Sequence, residues 1–228
     1  MNRTTATQRH HAIPLLAVLL WQLTQSVSGL AADKPTNAEG KYQDWKHSGS
    51  MWLLTTPEGA NLPAGTTVEQ FPLLVRLHRD YFDFAQAQSN GDDLRFASST
   101  GERLAFQIEE WDAVKGVASI WVRIPLVAGN SRQEIKLHWG NAGATSESDG
   151  KGVFNESNGY LSVWHMNSPV QDDAGRLMST DTGTTSTAGV IGAARHFSGG
   201  KGIFGGDKIP NYPTGASAHS TEVWFRPE

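Results

Sequence analysis

The 228-residue chain contains no cysteine and carries a formal net charge of only −4. Disulfide bonds, thiolate nucleophiles and cysteine-ligated zinc are therefore excluded, and core packing must supply the stability of the fold. The sequence also lacks a basic patch, so we predict no binding of nucleic acid. It contains no Gly-x-Ser-x-Gly motif, no phosphate-binding glycine loop and no paired-histidine zinc motif. Several common enzyme signatures are thus absent.

The chain also lacks an apolar run of the roughly twenty residues that a helix needs to cross a bilayer. Its most apolar stretch, residues 12–23, follows a basic segment and precedes small residues that end at Ala32. This order is typical of a secretory signal peptide. We therefore predict a signal peptide at residues 1–31, a flexible N-terminus at residues 32–46, and export to the periplasm, the cell envelope or the exterior.

Apolar and polar residues alternate with a period of two in most of the remaining sequence, which is the pattern of half-buried strands. The strands predicted from this pattern are residues 50–56, 71–77, 104–109, 117–124 and 133–139, with Pro125 ending the fourth. Turn signals separate them at the spacing of a sandwich or barrel, and only residues 81–88 indicate a helical turn. We therefore predict an all-β fold whose first domain, residues 47–145, is an antiparallel β-sandwich.

Glycine, serine and acidic residues interrupt the alternation at residues 146–159, which we interpret as a linker. In residues 160–228 the pattern predicts strands at 160–166 and 221–226, a polar loop at 171–189 and a hairpin at 196–209. This segment has few apolar positions, so we expect a half-domain whose apolar face is not covered.

Five short motifs follow one another in the first domain: residues 71–77 (FPLLVRL), 92–96 (DDLRF), 108–112 (IEEWD), 120–125 (IWVRIP) and 137–141 (LHWGN). Together they resemble the bacterial family called domain of unknown function 2341, over roughly residues 42–154. Three later motifs resemble the opening of a concanavalin A-like, laminin-G-type sandwich: residues 163–166 (VWHM), 192–200 (GAARHFSGG) and 221–227 (TEVWFRP). This second resemblance implies a partial jelly-roll sandwich at residues 160–228. In this family the two domains together often precede the membrane helices of a TolQ/ExbB-type proton channel. The resemblance therefore implies that the chain is the exported extension of a biopolymer transport protein. It also implies that the channel helices lie beyond Glu228.

Glu110 and Asp112 are the best candidates for carboxylate chemistry, because alternate residues of a strand share one face. Laminarinase-type glycosidases on the concanavalin fold use a Glu-x-Asp-x-Glu strand, but the third acidic position is Val114 here. No catalytic set is complete, so we predict no catalytic residue. The alternative is a structural role in which these carboxylates pair with Arg95 or Arg123 across strands.

Trp111 is predicted to be an exposed aromatic residue, since the apolar residues before it occupy the opposite face of its strand. With Glu110 and Asp112 it forms a candidate ligand site, because tryptophan can stack on a sugar ring. Asp172 and Asp173 form a candidate calcium site in a loop, although two aspartates supply only part of a calcium shell. Turn formation is the alternative explanation for this pair.

Two function classes follow from the sequence. The first is an exported, non-catalytic binding or scaffolding module for a glycan or an envelope protein, within the transport context that the resemblance implies. The alternative is a fragment of a secreted glycoside hydrolase of the concanavalin-like fold. Beyond Glu228, three apolar helical spans would favour transport, whereas a Glu-x-Asp-x-x-Glu strand would favour hydrolysis.

Overall fold

The computed structural model describes residues 19–22, 41–206 and 211–227. In these residues the ladders between strands are all antiparallel, and the only α-helix is four residues long. The prediction of an all-β fold is therefore confirmed. No helix of the described residues has the length and apolar character needed to cross a membrane.

Two sheets contain most of the strands. The first has, in spatial order, β1 (Leu19–Gln22), β2 (His47–Leu54), β8 (Arg132–Trp139), β4 (Arg95–Ser98) and β5 (Arg103–Leu104). The second has β3 (Thr67–His78), β7 (Val117–Ala128) and β6 (Phe106–Asp112). Side chains from both sheets form one buried cluster, in which Met51, Val75, Phe96, Ile120 and Leu137 are fully buried. Burial of each of these side chains stabilises the folded state by about 1.5–3 kcal/mol. The alternating apolar residues of the sequence therefore form this core.

Proline does not end the central strand of the second sheet, contrary to the prediction at Pro125. β7 continues to Ala128, and the residue pairs on both sides of Pro125 keep one register with β3. Only the pairing of Pro125 with Gln70 is missing: proline has no N–H group to donate, and Gln70 has a positive φ angle of 52°. The Gln70 carbonyl instead accepts a hydrogen bond from Asn158 Nδ2 at 3.0 Å.

A β-bulge in β6 changes the face on which its later residues lie. Ile108 lies opposite Ile120, after which the register shifts so that Trp111 lies opposite Ala118. Ala118 and Ile120 both face the core, with 1% and 0% of their surface exposed. The extra residue therefore turns Trp111 toward the core, and the prediction of an exposed aromatic at this position is wrong.

Trp111 completes an aromatic cluster at one end of the core. Its ring lies edge-on to Phe84 at 4.9 Å and to Phe82 at 6.0 Å between centroids. Gly91 lies against the same ring, and a Cβ atom built on it would be only 2.8 Å from Trp111 Cε3. Close packing of the indole thus requires glycine at this position.

Replacing this glycine tests the placement of Trp111. We expect Gly91→Ala to lower the free energy of unfolding by more than Gly65→Ala, measured by urea titration. Both glycines have positive φ angles, of 70° and 80°, but a Cβ at Gly65 would meet nothing within 4 Å. The control should cost about 1–2 kcal/mol for backbone strain, and Gly91→Ala about 1–3 kcal/mol more for overpacking. Equal losses would contradict the contact with Trp111.

Residues 41–46 pack on the first sheet, although the sequence assigned them to a flexible N-terminus. Tyr42 stacks on His138 at 4.3 Å between ring centroids, and Trp45 Nε1 donates to the Asp93 carbonyl at 2.6 Å. Arg95 lies 5.2 Å from the centre of the Trp45 ring. The two aromatic side chains gain buried area there, which explains why this polar segment is held. Burial, with a smaller effect of Lys136, lowers the pKa of His138 to about 4.

The partly buried imidazole of His138 predicts a loss of stability in acid. The unfolded chain takes up a proton on His138 near its ordinary value of about 6.5, whereas the folded chain resists protonation down to about 4. The stabilising effect is therefore present above about pH 6.5 and is lost as the pH falls. We expect the wild type to lose about 1–2 kcal/mol more than His138→Gln between neutral pH and about pH 4.5, after allowing for solvent screening. Parallel urea titrations of the two proteins would show this; identical pH profiles would contradict it.

The second half of the chain forms short ribbons instead of the predicted partial sandwich strands. β10 (Thr185–Ala188) pairs with β11 (Ala193–His196), and outside this hairpin β9 (Thr180–Asp181) pairs with β12 (Ile203–Phe204). Residues 160–166 and 221–226 belong to no strand, and the predicted loop at 171–189 contains β9 and β10. Arg195 of β11 forms an ion pair with Asp181 of β9 and donates a hydrogen bond to Ser168 Oγ in the preceding loop.

Large apolar side chains are exposed mainly in this second half. They are Met178, Val190, Phe197, Phe204, Tyr212, Val223, Trp224 and Phe225. Trp224, in the segment 221–226 that the sequence predicted as a strand, is 84% exposed. This distribution agrees with an apolar surface that the described residues do not cover.

β1 lies within the predicted signal peptide. Its four residues pair with Ser50, Met51, Trp52 and Leu53 of β2. The predicted cleavage position near Ala32 lies outside the described residues. Cleavage there would remove β1 and leave this edge of β2 unpaired.

Candidate binding site

Residues 149–177 cover part of the outer face of the second sheet. The four-residue helix α1 (Gly150–Val153) and the segment after it form a small buried cluster of Val153, Phe154 and Ala174. Phe154 lies edge-on to Trp121 of β7, with 5.5 Å between ring centroids. The outward side chains of β6 and β7 are therefore not all in solvent, and polar groups among them need internal partners.

A buried polar network connects this cover to the sheet. Trp121 Nε1 donates to Glu109 Oε2 at 2.6 Å, and His165 Nδ1 lies 3.2 Å from the same oxygen. His165 Nε2 lies 3.1 Å from Gln107 Oε1, and Gln107 Nε2 donates to Asp173 Oδ1 at 2.7 Å. The Glu109 and His165 side chains are only 6% and 7% exposed. We call these five residues the polar network.

The bulge in β6 explains how Glu109 reaches this network. Glu109 is the unpaired residue between Ile108 and Glu110 in the ladder with β7. Its carboxylate consequently lies on the outer face beside Trp121, while Trp111 returns to the core face. The sequence contains Glu109 and His165 in two recognised motifs, but nothing in a single sequence indicates that these motifs meet.

A cleft of about 520 Å³ opens beside the polar network, along the outer edge of β6. Its walls carry Ser148, Asp149 and Lys151 on one side and Asn167, Gln171 and Asp173 on the other, with Gln107 between them. We call this feature the β6 cleft. It contains no aromatic side chain, so its lining differs from the tryptophan site that the sequence predicted.

Several polar groups of the β6 cleft remain available to a ligand. The Lys151 ammonium group and the side-chain oxygens of Asn167 and Gln171 have no hydrogen-bond partner within the described ranges. The Lys151 side chain is exposed and runs beside Gly175, where a Cβ atom would come within 2.0 Å of its Cε. The cleft thus offers both donors and acceptors.

The predicted ligand residues Glu110 and Asp112 lie outside this cleft and have other partners. Ser119 Oγ donates to Glu110 Oε2 at 3.2 Å, and Lys115 Nζ lies 2.8 Å from Asp112 Oδ2. The side-chain hydrogen bond from Lys115 lowers the pKa of Asp112. The two carboxylates therefore have different partners. Glu110 bonds to the neighbouring strand β7, and Asp112 bonds within the turn between β6 and β7. Neither bonds to an arginine of the described residues, contrary to the pairing suggested from the sequence.

Asp172 organises the loop that forms one wall of the cleft. Its Oδ1 accepts backbone N–H bonds from Val163 and Ala174, and its Oδ2 accepts them from Arg176 and Leu177, all at 2.8–3.1 Å. The side chain is buried, so these bonds satisfy a carboxylate that has little contact with water.

Asp173, the second member of the predicted calcium pair, has a different environment. Its Oδ1 accepts hydrogen bonds from Gln107 and Gln171. Across the residues that the structure describes, no three acidic or histidine side chains are grouped as they would be around a metal ion. The geometry therefore assigns the Asp172 carboxylate to loop formation and Asp173 to the polar network.

Removing the Asp172 carboxylate should loosen the cleft wall. We expect Asp172→Ala to lower the free energy of unfolding by about 2–3 kcal/mol, because it leaves four backbone N–H groups without their acceptor. The neighbouring Asp173→Ala should cost about 1 kcal/mol. Hydrogen exchange at Val163, Ala174 and Leu177 should accelerate only in the first variant. The free energy of unfolding is measured both with calcium and with EDTA. If Asp172 bound calcium, the stability lost in Asp172→Ala would differ between the two conditions.

Comparison with protein families gives one match. The model of the domain of unknown function 2341 matches residues 90–164, which is less than half of the chain. The resemblance to this family is confirmed for that segment. Four of the five motifs lie within it, and the match continues through the predicted linker as far as Trp164. Searches of curated proteins and of solved structures gave no significant match.

Proposed function

We propose that this protein is an exported, non-catalytic binding module that takes a glycan in the β6 cleft. The observation that carries the proposal is the set of unpartnered donors and acceptors on Lys151, Asn167 and Gln171, directed at one open cleft. Sugar hydroxyl groups both donate and accept hydrogen bonds, so mixed polar side chains of this kind suit them. The signal-peptide pattern supports a location where envelope or extracellular glycans occur.

A hydrolytic function has less support. Glu110 and Asp112 bond to Ser119 and Lys115, and the β6 cleft contains neither of them. A glycosidase requires two carboxyl groups that flank one bond of a bound sugar. We therefore retain binding as the function and propose an association with a proton-channel transport protein on the motif resemblance alone.

Glycan binding is tested by calorimetric titration with three hexasaccharides: cellohexaose, chitohexaose and hexagalacturonate. We expect at least one to bind, and we expect Lys151→Gln and Gln171→Ala each to weaken its binding about 2- to 10-fold, the effect of one hydrogen bond. Lys136→Gln, on β8 of the other sheet, is the matched control and should bind like the wild type. Absence of binding to all three sugars, or equal weakening by the control, would contradict the proposal.

A further inference from the structure

The His165 imidazole lies between two hydrogen-bond acceptors. Its Nδ1 faces Glu109 Oε2 at 3.2 Å, and its Nε2 faces Gln107 Oε1 at 3.1 Å. The orientation of the Gln107 amide is fixed from its other end, because its Nε2 donates to Asp173 Oδ1 at 2.7 Å. Both ring nitrogens therefore need a hydrogen to satisfy the arrangement.

A neutral imidazole carries only one N–H group, so it cannot satisfy both contacts. With the hydrogen on Nδ1, the lone pair of Nε2 faces the Gln107 oxygen; with the hydrogen on Nε2, the lone pair of Nδ1 faces the Glu109 carboxylate. Turning the Gln107 amide only moves the conflict, because its oxygen would then face the Asp173 carboxylate. One additional proton on the His165 ring, beside an ionised Glu109, removes each of these conflicts.

The groups that surround His165 agree with an added positive charge. Trp121 of β7 stacks beside the ring at 6.1 Å, and Phe154 lies 5.7 Å away on the covering segment. Glu109 of β6 is the charged side chain in direct contact, and the Asp173 carboxylate follows beyond Gln107. Among the described residues no ion pair places a lysine or arginine against this imidazole.

We propose that the polar network holds one extra proton in its closed form, and that this proton couples the pH of the surroundings to ligand binding in the β6 cleft. Gln107 and Asp173 belong to the network and also line the cleft. Loss of the proton breaks the alignment of Gln107 and releases Asp173, so binding weakens as the pH rises. This inference rests on the proposed function for its ligand, but the protonation of the network can be observed without any ligand.

The network is tested by ¹⁵N NMR of the full chain with labelled histidine and glutamine, from about pH 5 to about pH 8.5, the range in which histidine switches commonly act. We expect both ring nitrogens of His165 to be protonated at the acidic end. With rising pH, one should lose its hydrogen while the side-chain amide signal of Gln107 shifts with the same midpoint. A ring that is singly protonated throughout, or a Gln107 signal that does not follow the ring, would overturn the proposal.

Variants separate the proton effect from simple loss of structure. His165→Asn cannot titrate and should abolish the pH response of the Gln107 signal, whereas His138→Asn on the other sheet should preserve it. Glu109→Gln removes the negative charge that favours a charged imidazolium, while its amide oxygen can still accept the hydrogen bond from Trp121 Nε1. In that variant we expect a folded protein whose His165 is singly protonated across the range. A doubly protonated ring in Glu109→Gln would overturn the assignment.

The last measurement tests the coupling of this proton to ligand binding. The three hexasaccharides are titrated into the protein at the two ends of the pH range. The best ligand should bind about tenfold more weakly at the basic end, which corresponds to the loss of one charge-assisted hydrogen bond. His165→Asn should bind with equal affinity at both ends. Binding that does not change with pH while the network titrates would overturn the coupling. Absence of binding with a titrating network would refute the proposed glycan ligand and leave the proton-holding network supported.

Discussion

The bulge at Glu109 is the constraint on which both the core and the candidate site depend. Before it, β6 directs Phe106 and Ile108 toward the core; after it, Trp111 takes that side. A regular strand would have placed Trp111 outside and left the aromatic cluster incomplete. The same extra residue positions the Glu109 carboxylate beside Trp121 on the outer face. One inserted residue therefore fills the core and creates a buried charge.

This buried charge explains why the covering segment lies where it does. A carboxylate with little access to water is costly unless hydrogen bonds and an opposite charge compensate it. Trp121 supplies one donor from the sheet, and His165 supplies the other from the covering segment. The apolar cluster under this segment contains only Val153, Phe154 and Ala174 as buried members. Polar pairing therefore contributes to docking alongside a modest apolar contact.

The sequence predicted the strands better than it predicted which faces they present. Alternation located five of the seven strands in residues 47–145, because burial of one face of a sheet produces that pattern directly, but it missed the short strands β4 and β5. It failed at Trp111, because a bulge adds one residue without a distinctive composition, and at Pro125, because a single missing ladder bond is tolerated. It failed again at residues 160–166, whose apolar side chains pack beside β6 and β7 without joining a strand.

The candidate site was harder to predict because its groups come from distant parts of the chain. Glu109 and His165 are informative only as a pair, and their contact depends on the path of the covering segment over the second sheet. Buried polar groups often add little net stability, but a buried hydrogen bond forms only when its donor and acceptor are correctly placed. Apolar contacts alone would have allowed the covering segment to slide, whereas the pairing of Gln107 with Asp173 fixes the separation of the cleft walls. The shape of the cleft therefore depends on groups that can exchange protons, which is why its geometry and its protonation state must be considered together.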